Sequence, residues 1–195
     1  EMCIRDSPNT GVCWAIDQPV SFFYPIWAGV NPATGDARWY TPNADPSKII
    51  ETTKSATTTA FNSTGLQQNT GIKRYAPFNG GFGFSGRLHQ FSVGADFSFS
   101  EGKYMINNDR YFFENPNQFP GFNQSSTVLN YWKKPGDNTV FPRYGVQFTQ
   151  FDSRLIEDAS FIRLKALTFA YDFSNSMLNK TKVLTAAKFY ITMRN

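Results

Sequence analysis

The stretch Phe78–Asn107 reads FNGGFGFSGRLHQFSVGADFSFSEGKYMIN, and its second half decides the fold. From Phe91 to Ser100 the residues alternate without a break. Phe91, Val93, Ala95, Phe97 and Phe99 fall on one side, and Ser92, Gly94, Asp96, Ser98 and Ser100 on the other. A period of two belongs to an extended strand, whose successive side chains point to opposite faces. The preceding segment, Phe78 to Leu88, alternates more loosely, with Phe78, Phe82, Phe84 and Leu88 set against Asn79, Ser85 and Arg87. Only His89 and Gln90 separate the two runs, which predicts a long hairpin with a tight turn.

Strands that alternate large apolar with small polar residues over about ten positions are the signature of an outer-membrane barrel, with lipid on one side and lumen on the other. Soluble sandwich strands alternate too, but usually over about 5–6 residues. The hairpin alone leaves both environments open.

The remainder of the chain weighs on that choice. Aromatic residues make up 17% of the 195 residues, including 20 Phe, and charged residues only 17%. Soluble domains carry about 25% charged residues. Turn formers are plentiful and helix-forming runs few, which indicates an all-β class. The net charge of +4 arises from 19 basic and 15 acidic residues that are scattered along the chain, so no cationic stripe for nucleic acid exists. Cys3 and Cys13 do not make a disulfide framework or a metal site. The longest nearly apolar run, Phe22 to Val30, is far short of the roughly 20 residues of a transmembrane helix. Entry into a membrane would therefore be by strands.

Glu1 to Ser7, EMCIRDS, resembles the translation of a sequencing-library adapter and is set aside as an artefact, leaving residues 8–195 as the natural stretch. Ser21 to Val30, SFFYPIWAGV, reads as a strand carrying Pro25, a residue normally confined to edges or bulges. Turn residues follow from Asn31, and the ARWY segment ends at Trp39–Tyr40. The next thirty residues, rich in Thr, Asn and Ser, read as one long loop with a short helix around Pro46 to Ser55. Asn108 to Asp158 reads as a second long irregular segment. Such loops are uncommon in compact soluble domains, whereas membrane barrels alternate long extracellular loops with short periplasmic turns.

Ala159 to Phe173, ASFIRLKALTFAYDF, is a further strand with Leu167, Phe169, Tyr171 and Phe173 on one face. Strict parity puts Arg163 and Lys165 on that same apolar face. At about 3.3 Å per residue and a tilt of roughly 40°, these cations stand some 20–25 Å above Phe173, at head-group height. A bulge that flips the parity accounts for them equally well. Ser174 to Leu184 is a short connection with about one helical turn, and Ala187 to Asn195 is a last strand with Ala187, Phe189, Ile191 and Met193 on one face. The fold expected is all-β: antiparallel up-and-down strands forming part of a large transmembrane β-barrel, incomplete at both ends. Five strands cannot close a membrane barrel, so a fragment is expected.

Four blocks together resemble the SusC/RagA-type TonB-dependent outer-membrane transporters, in the order found in that family: AGVNPATGDARWY, YAPFNGGFGFSGRLHQFSVGADFSFSEGKYMINND, NYWKKPGDNTVFPRYG and ASFIRLKALTFAYDFSNSMLNKTKVLTAAKFYITMRN. The resemblance implies the C-terminal part of a barrel of roughly 22 strands with a plugged lumen. It implies outer-membrane location in a Gram-negative, Bacteroidota-like cell, and a SusD-like surface lipoprotein as partner. A TonB complex, engaged through parts missing here, outer-membrane lipid, and an imported oligosaccharide or peptide follow too. His89–Gln90 and Ser174–Leu184 would be periplasmic turns, and the loops after Val30 and Asn107 extracellular.

No catalytic or cofactor site is expected. Gly81, Gly83 and Gly86 form a G-x-G-x-x-G, but a turn and a strand follow where a dinucleotide site needs a helix. His89 is the sole histidine, in a turn, so no histidine-dependent catalytic pair can be built on a second one. Asp36, Asp45, Asp109, Glu114 and Asp137 lack metal-ligand spacing. The sequons at Asn62, Asn123 and Asn179 carry little meaning in a bacterial protein. The candidate substrate-binding residues are Trp39, Tyr40, Tyr131 and Trp132, on which a sugar ring could stack; packing among loops is the competing explanation. A soluble carbohydrate-binding β-sandwich using the same aromatics is the alternative function.

Overall fold

The computed structural model describes residues 11–14, 17–45, 48, 51–146, 148–181 and 183–195. The adapter-like Glu1–Ser7 lies outside them, as do residues 46, 47, 49 and 50 of the helix expected around Pro46 to Ser55; the described residues 51–55 form no helix. The chain divides into two compact units, residues 1–75 with 103–159, and residues 76–102 with 160–195.

The second unit is one antiparallel sheet of four strands: β6 (Phe78–Leu88), β7 (Phe91–Glu101), β10 (Phe161–Asp172) and β11 (Lys188–Arg194). Their order in the sheet, β11-β10-β7-β6, is their order in sequence, so the strands run up and down. The hairpin expected at His89–Gln90 is present, and its register pairs Leu88 with Phe91 through to Phe78 with Glu101. His89 adopts a positive φ of 54° to make the turn. Between β10 and β11 the chain makes a helical turn, α2 (Asn175–Leu178), as the sequence indicated.

The register settles the problem of Arg163 and Lys165. Leu164 pairs with Phe97 and Ala166 with Asp96, so Lys165 is an extra residue with no partner in β7, while its carbonyl accepts from the Asn195 amide on the other side. This bulge flips the parity of the upper strand. Ile162 and Leu164 join Phe99 and Phe97 on the apolar face, and Arg163 falls opposite Ser98 on the polar one.

The first unit is organised by β2 (Ser21–Val30), which pairs with β1 (Val12–Cys13), β3 (Ala37–Tyr40) and β5 (Gln67–Lys73); β4 (Thr57–Thr58) adds to β3. The sequence counted β2 among the barrel strands, but it belongs to this separate five-stranded sheet. Its apolar residues on both parities are explained by burial of Phe22, Phe23 and Ile26. Pro25 sits where two ladders meet: it is the last β2 residue opposite β5, and pairing to β3 begins at Ile26. The expected long loop after Tyr40 is corrected by β5, whose QQNTGIK sequence has no apolar alternation to reveal it. Gln68 in this strand is fully buried and bonds by its side chain to the Thr53 amide and the Tyr40 carbonyl.

The second long irregular segment is likewise structured. It holds the short helix α1 (Asp109–Phe113), two 3-10 turns and β9 (Ile156–Asp158), which pairs with β8 (Tyr104–Ile106) just ahead of the segment. Phe148, Leu155, Asn115, Thr149 and Asp152 are each at most 2% exposed. Cys13, read in the sequence as outside any disulfide framework, is disulfide-bonded.

Candidate functional site

Two constructions stand out, one in each unit. The first is the pair of faces of the four-stranded sheet. On one face, rows of side chains run straight across the strands: Phe84–Ala95–Leu167–Met193, then Gly86–Val93–Phe169–Ile191, then Leu88–Phe91–Tyr171–Phe189. On the other lie Ser85–Gly94–Thr168–Thr192 and Arg87–Ser92–Ala170–Tyr190. The apolar face is uncovered: Phe84 is 59% exposed, Phe91 65% and Phe169 50%. Contiguous apolar patches are rare on soluble monomers and mark membrane or partner contact. Rings pack along it, Phe82 stacking on Phe97 at 5.0 Å and Phe91 meeting Tyr171 at a tilt, also at 5.0 Å. The polar face carries an ion cluster near the tight turn, in which Asp172 accepts from Arg87 at 3.0 Å and lies 3.7 Å from Lys188. Tying β6, β10 and β11 together in this way favours water on that side.

The second construction is a buried node in the first unit. Trp39 Nε1 donates to Asp152 Oδ2 at 2.8 Å, across 113 positions of sequence. The Asp152 carboxylate also receives Arg154 through Nε at 3.0 Å and Nη2 at 2.8 Å. Arg154 donates onward to the Phe148 carbonyl and lies 3.6 Å from the centre of the Trp27 ring. Trp27 in turn meets Trp39 edge-on at 5.4 Å, and its amide donates to Ser153 Oγ. One carboxylate and one guanidinium thus lock the β2–β3 hairpin to the segment before β9. The sequence does not signal this role for Asp152 and Arg154, because the tryptophans they meet are distant in the chain.

The four aromatic residues singled out in the sequence do not form one cluster. Trp39 is 2% exposed, packed against Ala37, Leu66, Trp27 and Phe61, with no ring face left for a ligand. Tyr40 is half-buried on the same strand. Trp132 lies on the turn that joins β2 to β3: its Nε1 donates to the Pro32 carbonyl, and a Cβ on Gly35 would stand 2.5 Å from its ring. Gly35 has φ +75°, so both its backbone and its neighbour require glycine. Arg143 bonds to Asp36 beside it at 3.0 Å. The Thr34 hydroxyl and the Arg143 guanidinium hold the Asp36 carboxyl below its ordinary range. Tyr131 packs on Val128, Phe141 and Phe148 and lines a depression of about 400 Å³. Asn130, Lys133, Asp137, Asn138 and Thr139 supply its polar rim. Among the described residues no cluster of His, Cys, Asp or Glu could hold a metal ion.

No protein-family model matches the chain. A TonB-dependent receptor P3 of Formosa agariphila is 34% identical over 73 residues, which are 37% of this chain and 7% of that protein. Chains in structures of the RagAB peptide importer, in its open-open and closed-closed states, are 36% identical over 98% of this chain, each with a TM-score of 0.83. This chain spans 20% of their length. The likeness to the RagAB chains takes in both the up-and-down sheet with unlike faces and the loop unit, since it covers 98% of this chain. The chain thus resembles SusC/RagA-type TonB-dependent transporters over nearly its whole length, as a stretch of β-barrel with its loops.

Proposed function

We propose that this chain builds part of the wall and mouth of an outer-membrane transporter that imports nutrients through a TonB-driven barrel, with a SusD-like surface lipoprotein over the mouth. The observation that carries the reading is the single-layer sheet with an uncovered apolar face and a polar face bearing Asp172 with Arg87 and Lys188. It fits a wall between hydrocarbon and water. In a carbohydrate-binding sandwich the same phenylalanines would be buried against a second sheet, and they are exposed.

Oligopeptide is the first candidate cargo, because the RagAB proteins that resemble this chain import peptides; oligosaccharide is the second. Tyr131, with its polar surround, is the side chain best placed to contact cargo, and Trp132, Tyr40 and Trp39 support it by positioning the loops. On this reading the turns at His89–Gln90 and Ser174–Leu184 face the periplasm and the segments after Val30 and Asn107 face outside. The test uses cells expressing the complete transporter. Cysteine at exposed Asn138 is labelled by a membrane-impermeant maleimide on intact cells, and cysteine at exposed Ser176 only after the outer membrane is opened. Labelling of both on intact cells would refute the orientation. Tyr131→Ala, compared with Tyr131→Phe, lowers uptake of a labelled oligopeptide library at least several-fold, while uptake unaffected by Tyr131→Ala removes it from the cargo path.

A further inference from the structure

The apolar face of the wall is not uniform. Gly80 and Gly86 both lie on it in β6, and the two positions differ. At Gly80 the Phe99 ring stands 3.2 Å from where a Cβ would be, so a ring fills the missing side chain's place. At Gly86 nothing lies within 4 Å. Gly86 and Val93 form the floor of a groove of about 670 Å³ whose walls include Leu88, Phe91, Phe169 and Ile191. Leu88 and Phe91 close it at the end next to the His89–Gln90 turn.

We propose that this groove is a specific seat for one acyl chain of a glycerophospholipid in the periplasm-facing leaflet. The proposal rests on the barrel reading above. The groove continues the face that meets hydrocarbon, so its occupant must be hydrocarbon. It lies in the rows nearest a tight turn, and tight turns of such barrels are periplasmic, which selects the inner leaflet and a phospholipid over a lipopolysaccharide. A flexible methylene chain fills a narrow trough between fixed rings, where neighbouring aromatic side chains cannot follow. Most of the face contacts fluid lipid transiently; this trough holds a chain by shape.

Gly86→Phe is the discriminating variant, because it fills the trough without a clash: the space is empty and the backbone at Gly86 is not in the left-handed region. The complete transporter is purified in detergent, titrated with phosphatidylethanolamine and examined by native mass spectrometry. The wild type retains one more phosphatidylethanolamine than Gly86→Phe at activation energies that strip the rest, a difference of tenfold or more in occupancy. The loop variant Gly121→Ala, with open space at its own Cβ position, behaves as the wild type. Equal retention by wild type and Gly86→Phe overturns the proposal, as does displacement of the retained lipid by equimolar lipopolysaccharide. Heat-modifiable migration on gels reports the folded barrel independently. A protein that never shows it refutes the barrel reading itself, while a folded barrel with no retained lipid refutes only the groove.

Discussion

At Asp152 a single carboxylate joins Arg154 and Trp39 with almost no solvent. Its side chain is 0% exposed and that of Arg154 8%, and the Trp39 indole donates to it as well. Removing one member of a buried ion pair leaves the other charged and unsolvated, which costs about 3–5 kcal/mol, more than the pair itself contributes. Asp152→Ala is therefore expected to lower the unfolding free energy of the first unit by about that amount, read from urea titration of tryptophan fluorescence, since Trp27 and Trp39 both sit at the node. Asp152→Asn, which keeps an acceptor for Trp39, should lose less. The exposed ion pairs behave differently. The carboxyl of Asp36 is held low by Thr34 and Arg143, and that of Glu157 by Asn107 and Arg110. A carboxylate depressed in the folded state stabilises fully above its unfolded value and loses that contribution as pH falls through the folded one. The expected loss therefore lies below about pH 4, and it is small because both groups are solvent-screened. A double variant Asp36→Asn, Glu157→Gln should flatten the urea midpoint between pH 5 and pH 3 relative to wild type; an unchanged slope would remove these two groups from the acid response.

Alternation is a local property, which is why the four wall strands were legible in the sequence: each face of β7 or β11 can be read from one residue to the next. Parity alone does not say where a strand breaks step. The bulge at Lys165 was one of two explanations that the residues allowed, and only the pairing of Leu164 with Phe97 and Ala166 with Asp96 separates them. β5 escaped notice for the opposite reason. Its stability comes from pairing to β2 and from the buried Gln68 side chain, neither of which produces an apolar period. The bulge itself makes a sharp prediction. Deleting Lys165 leaves Leu164 beside Ala166, so the ladder becomes regular and every apolar side chain keeps its face. Deleting Leu164 also shortens β10 by one residue, but puts Lys165 opposite Phe97 on the hydrocarbon side. A lysine there costs about 2–4 kcal/mol near the midplane and less toward the interface. The Lys165 deletion should therefore give wild-type yields of heat-modifiable, membrane-inserted barrel, and the Leu164 deletion markedly less. Equal yields would show that the face of β10 above the bulge does not meet lipid.

At the scale of the molecule, the division into a structured loop unit and a two-faced sheet is the feature that composition could only hint at. Few charges and many phenylalanines were visible at once, but the candidate binding aromatics were not sortable, because exposure is decided by partners far along the chain: Asp152 buries Trp39, and the β2–β3 turn receives Trp132. The sheet's unlike faces allow the membrane reading to be tested by two adjacent residues. Phe84 and Ser85 are both exposed, one on each face of β6. If water bathed both faces, Phe84→Arg and Ser85→Arg would each change stability by no more than about 0.5 kcal/mol, as surface substitutions do. If hydrocarbon meets the Phe84 face, an arginine there costs about 2–4 kcal/mol near the middle of the bilayer, while Ser85→Arg adds a cation to a water-filled lumen at little cost. In the complete transporter, refolding into lipid vesicles from urea should thus shift its midpoint strongly for Phe84→Arg and hardly for Ser85→Arg. Equal midpoints for the two would mean that the two faces of the wall share one solvent.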